Sequence, residues 1–84
     1  MLLKIFKYHY MKQVEIFKTD VQEAARAKRV IAMLGRKHPD YLVNFDIEDV
    51  DRILRIESTT AQISSVEIES LVADLGVYCK IFAD

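Results

Sequence analysis

Eighty-four residues with a formal net charge of −1 and a single cysteine describe one small domain, near the lower size limit for a self-sufficient core. The 51% hydrophobic content, with only two Gly and one Pro, excludes a disordered chain, and the near-zero charge leaves no field that would call for nucleic acid or an anionic membrane. A lone Cys79 rules out an intramolecular disulfide, and no apolar run approaches bilayer length or forms a signal-peptide core, so a cytoplasmic protein with neither a nucleic-acid nor a membrane partner is expected.

Residues 1–11 form an N-terminal extension, and residues 12–84 form the single domain. Leu3, Ile5, Phe6, Tyr8 and Tyr10 sit poorly in a free tail. Residues 1–10 are therefore expected either to lengthen the first strand or cover the sheet, or to be dispensable, with Met11 as a possible start. Residues 12–18 alternate Val14 and Ile16 against Gln13 and Glu15, which predicts a strand with one buried face. Thr19 and Asp20, with Gln22 and Glu23 three residues on, have the spacing of a capping box. They predict a helix from about residue 20 to about 36, carrying Ala24, Ala27, Ile31 and Leu34 on one face and ended by Gly35 and Pro39.

Tyr41, Val43, Phe45 and Ile47 alternate with Leu42, Asn44 and Asp46 as a second strand. The polar link Glu48-Asp49-Val50-Asp51 leads as a hairpin into a third strand over 52–56. Ser64, with Glu67 three residues later, marks a second helix bearing Ile68, Leu71, Val72 and Leu75. Gly76 ends that helix, and residues 77–82 form the last strand. Strand, helix, strand, strand, helix, strand closes as an α+β ferredoxin-like βαββαβ sandwich: a four-stranded antiparallel sheet with both helices on one face.

This order, with strand Val14–Ile16, a helix ending in Leu34 and the run Leu75-Gly76-Val77-Tyr78, resembles the heavy-metal-associated (HMA) domain of copper chaperones and metal-ATPase tails over residues 12 to 83. The resemblance implies a Cu(I) or Zn(II) site built from two thiolates in the first turn, where soft sulfur suits the ion and the helix N-terminus favours the anion. In this chain the slot holds Thr19, Asp20, Val21 and Gln22, and Phe17 stands where the family's methionine precedes the first thiolate. The resemblance therefore carries the fold without the ligands. Other families of this frame fit no better. The third strand offers no stacking aromatics for RNA, and the first turn lacks the glycine of phosphate-cradling or amino-acid-binding relatives.

Each remaining constellation has a structural and a functional reading. The first turn reads as helix capping or as a remodelled ligand site. Asp46, Glu48, Asp49 and Asp51 read as a solvated turn, because Ca²⁺ needs more convergent oxygens and a glycine. Arg26, Arg29, Arg36 and Lys37, with Lys28 and His38, make the first helix basic. That face is either solvated or steers an acidic partner, including the acidic hairpin of another copy. Cys79 shares a face with Val77 and Ile81 and reads as a small buried hydrophobe.

If Val14, Ile16, Leu54, Ile56, Cys79 and Ile81 face the helices, then Phe17, Ile53, Tyr78 and Phe82 form an open apolar face that wants a cover. The outer strand, residues 77–82, adds an unpaired edge with Lys80 as its only charge. The sequence thus predicts a non-catalytic module that binds an unknown protein partner or itself, with no cofactor, no catalytic residue and no metal ligand. The alternative is a Cu/Zn-handling protein whose relocated ligands are Cys79 with His9 or His38. Small-ligand binding between the sheet and its helices is the third reading.

Overall fold

The computed structural model describes residues 12–60 and 62–82. The N-terminal extension, and with it His9, lies outside the described residues. Strands β1 (Gln13–Thr19), β2 (Leu42–Asp46), β3 (Ile53–Ser58) and β4 (Cys79–Ile81) form one antiparallel sheet in the order β2-β3-β1-β4. Helix α1 (Ala24–Lys37) follows β1, and α2 (Ser65–Ala73) follows β3. This is the α+β ferredoxin-like fold that the order of elements predicts.

The core lies between the sheet and the helices. Val30 and Leu34 of α1 and Ile68 and Val72 of α2 meet Phe17, Leu54 and Ile56 of the sheet, all fully buried. Each such side chain contributes about 1.5–3 kcal/mol on removal from water.

The alternation of β1 is the reverse of the sequence expectation. Phe17 is 0% exposed and faces the helices, whereas Ile16 is 38% exposed on the other face. Register explains the parity: Phe17 stands opposite Leu54 on one side and Ile81 on the other, so the three share the inner face. With Ile16 inside, Lys18 would follow it into the core at the cost of burying a charge. Thr19 enters instead, buried and hydrogen-bonded, while Glu15 stays only half-buried at the far end of the strand.

Helix α1 begins at Ala24, four residues later than expected, and the predicted capping box does not form. Its N-cap is Glu23, with no side-chain bond to the helix. The Thr19 hydroxyl donates to the Arg52 carbonyl (2.7 Å) and accepts from the Val21 amide (3.1 Å). Asp20 Oδ1 accepts from the Tyr78 amide (3.0 Å). These oxygens tie the turn to β3 and to the entry of β4, so they are unavailable to the helix. The second capping motif does form: Ser64 Oγ accepts from the Glu67 amide at 3.2 Å. Gly76, with φ +77°, closes the turn after α2 in the left-handed region that glycine enters without strain.

Candidate interaction surface

Among the described residues, the outer face of the sheet carries no helix. Backbone alternation aims Ile16, Lys18, Ile53, Arg55, Tyr78, Lys80 and Phe82 at this side, with Leu42 and Asn44 on β2. Tyr78 (55%), Leu42 (59%) and Phe82 (37%) are exposed, and Ile53 is half-buried. Lys18 Nζ lies 5.7 Å above the Phe82 ring, a cation–π contact. Of the residues expected on this face, Ile53, Tyr78 and Phe82 are there. Phe17 is not: it is a core residue, and Ile16 takes its place. The conflict over Lys18 was the sequence signal that could have found this, since a strand that hides Ile16 must hide Lys18 as well.

The two sheet edges differ. The β4 edge, expected to be open, is closed by a side chain. Phe82 N–H donates inward to the Ile16 carbonyl (2.7 Å), so the Ile81 N–H points outward, where Glu69 Oε2 of α2 accepts it at 2.8 Å. A carboxylate on the free amide of a three-residue strand blocks further pairing. Glu69 was missed in the sequence because only the packing of α2 brings it over the edge. The β2 edge carries no such closure among the hydrogen bonds of the described residues.

Side chains of the two charged regions also have definite positions. Asp46 Oδ1 accepts from the Glu48 and Asp49 amides (both 3.2 Å), and Asp49 Oδ1 accepts from the Asp51 amide (2.8 Å). These carboxylates build the turn between β2 and β3. Arg52, at φ +49°, completes that turn and donates to the Ile47 carbonyl. On α1, Arg26, Arg29, Arg36 and Lys37 are exposed. Arg26 reaches the Gly76 carbonyl at 3.4 Å. No ion pair among the described residues involves Arg29, Arg36 or Lys37.

The slot that would hold thiolates in an HMA domain is built differently here. Thr19 and Asp20 are engaged with the backbone, as above, and Val21 is fully buried. Asp20, Gln22, Glu23 and Arg26 line only an open cleft. Cys79 is 9% exposed, and burial together with the nearby Glu69 carboxylate pushes its thiol up to about 12. It is a proton-bearing core residue at neutral pH.

His38 is elsewhere, at the end of α1. Its ring stacks on Tyr41 (centroids 4.2 Å apart, planes at 10°), and Nε2 lies 3.2 Å from Glu67 Oε1 without hydrogen-bond alignment. Burial, and then the Glu67 and Asp40 charges, raise the Tyr41 hydroxyl. The structure does not bring Cys79 and His38 together, and no group of three His, Cys, Asp or Glu suited to a metal ion occurs among the described residues. No helix among the described residues is long and apolar enough to cross a membrane. No family model, curated protein or solved structure matches the chain.

Proposed function

We propose that this chain is a non-catalytic protein-interaction domain of ferredoxin-like fold, a ligand-free counterpart of the HMA frame, working through the outer face of its sheet. The observation that supports this reading is the exposure of Ile16, Tyr78 and Phe82 on the neighbouring strand pair β1–β4. Covering apolar surface recovers about 25 cal/mol per Å². Lys18 and Lys80 lie among these side chains, so the matching partner surface is apolar with acidic groups at its margin. Metal handling with relocated ligands draws no supporting observation from the described residues.

The test is chemical cross-linking in intact cells of the wild-type chain and of the double variant Tyr78→Ser/Phe82→Ser. The wild type should give a defined adduct that the variant loses, while its urea midpoint stays close to that of the wild type. Persistence of the adduct in a folded variant would remove this face from consideration.

A further inference from the structure

We propose that the β2 edge is a self-pairing surface, joining two copies of this chain about a two-fold axis through Asn44. The inference deepens the interaction-module reading and rests on it, naming a second copy as one partner and β2 as the surface it uses.

Hydrogen-bond parity across the sheet carries the argument. Phe82 N–H donates to the Ile16 carbonyl, so Ile16 points its backbone at β4 and Phe17 points its own at β3. Through the β1–β3 register, Leu54 answers Phe17, which leaves Ile53 and Arg55 bonding toward β2. Asp46 and Asn44, opposite them, bond toward β3. The N–H and C=O groups of Val43 and Phe45 therefore point away from the sheet. An antiparallel two-fold at Asn44 sets Val43 of each copy across from Phe45 of the other, and each pair exchanges both backbone bonds.

The same register is favourable for side chains. Val43 and Phe45 are half-buried on the helix side because the sheet ends there, and each gains an apolar neighbour across the junction. On the outer face Leu42 meets Asp46, so no like charges are opposed within the strand. Among the described residues, the edge lacks the devices that close β4. It has no Lys and no Pro, and its one carboxylate, Asp46, is turned to its own loop.

Charge selects a second copy as the occupant. A two-fold brings the C-terminal end of β2 beside the N-terminal end of its mate. The turn with Glu48, Asp49 and Asp51 then lies against the α1–β2 corner carrying exposed Arg36 and Lys37, with His38 beside them. Of the acids near that corner, Asp40 has its carboxylate held by the Thr60 and Ser58 hydroxyls, Glu57 is paired with Lys12 and Arg55, and Glu67 lies against His38. Each copy supplies both signs, so the contact is self-complementary and occurs twice. Pairing also doubles the four-stranded sheet and makes its outer face continuous.

Sedimentation velocity of the full chain from micromolar to millimolar concentration, at low and high salt, tests this. A concentration-dependent dimer that weakens with salt is expected. Asn44→Lys places like charges opposite each other only at the two-fold and should weaken the dimer by about fivefold. Val43→Pro removes an amide that faces solvent in the monomer, so the folded variant should sediment as a monomer. Asn44→Cys should form an intermolecular disulfide on oxidation, because opposed residues of a non-hydrogen-bonded pair lie about 4.5 Å apart, within disulfide reach. Buried Cys79 should not compete.

A wild type that stays monomeric throughout, or a dimer indifferent to Asn44→Lys and not trapped through Asn44→Cys, overturns the proposal. Monomeric protein that keeps its outer-face cross-link would refute the self-pairing edge alone. Loss of both would refute the interaction reading as well.

Discussion

The two turns that lead from a strand into a helix carry the same capping spacing, yet only one caps its helix. After β3, Ser64 accepts the Glu67 amide and α2 starts at once. After β1, Thr19 and Asp20 bind Arg52, Val21 and Tyr78, and α1 starts at Ala24 on an N-cap without a side-chain bond. The difference lies in where each turn sits. Thr19 is the last inward residue of a central strand, within reach of two neighbouring segments, whereas Ser64 follows a longer link and is exposed. A capping motif competes with every backbone group that the tertiary fold brings near it. Where the sheet offers partners first, the helix waits.

The largest effect should come from the strand that feeds the first turn. Phe17→Ala should cost about 3–5 kcal/mol by opening a core cavity, while Ile16→Ala, on the outer face, should cost less than about 1 kcal/mol. Urea unfolding of the two variants measures this difference, and equal losses would contradict the inward placement of Phe17.

Thr19→Val comes next. It keeps the shape but strands the Val21 amide and removes a donor from the Arg52 carbonyl, for a loss of about 1–3 kcal/mol. Ser64→Ala should cost about 1 kcal/mol, the ordinary worth of a cap. If Ser64→Ala proves the more costly, the contrast between the turns fails. Glu23→Ser supplies the cap that α1 lacks, and a gain of about 0.5–1 kcal/mol in urea unfolding is expected.

The smallest effect separates the turns by pH. The Thr60 hydroxyl, then the backbone amide of Asp40 itself, and to a lesser degree His38 and Ser58, hold the Asp40 carboxyl below its ordinary value of 3.8 against the opposing effect of desolvation. Its contribution to the β3–α2 link is therefore present above that value and is lost as pH falls through the depressed pKa. Hydrogen exchange at the Thr60 amide, which donates at 3.2 Å to the Ser58 hydroxyl that in turn donates to Asp40, should speed up in that acid range relative to exchange at Val21, whose hydroxyl acceptor, Thr19, donates to a carbonyl instead of a carboxylate. Equal acceleration at both amides would contradict the assignment.

Cys79 gives the opposite sign. Its thiol is raised to about 12 from an ordinary 9.0, so its contribution is full below pH 9 and declines as pH rises toward 12.

Much of the fold was legible because periodicity is local. Val43 and Phe45 against Asn44, Ile68 and Val72 at helical spacing, and Ser64 before Glu67 all read correctly from their neighbours. The surface was legible only in part. Tyr78 and Phe82 follow from the short alternation of β4, but Phe17 and Ile16 are adjacent apolar residues, and adjacency cannot say which faces inward. That choice depended on Leu54 and Ile81 across the sheet, far away in sequence. Glu69 was equally hidden, since nothing local shows which strand a helix carboxylate will overhang.

By itself, the sequence determined the order of elements, one small core and a first turn without thiolates, because composition, spacing and 2.0 or 3.6 periodicity act over a few residues. The tertiary structure alone decided which face of β1 is buried, where Thr19 and Asp20 send their oxygens, and that among the described residues β4 is closed by a side chain while β2 is not. Those outcomes turn on register and on side chains meeting across 12 to 58 positions of chain, where pairing energy outweighs local preference.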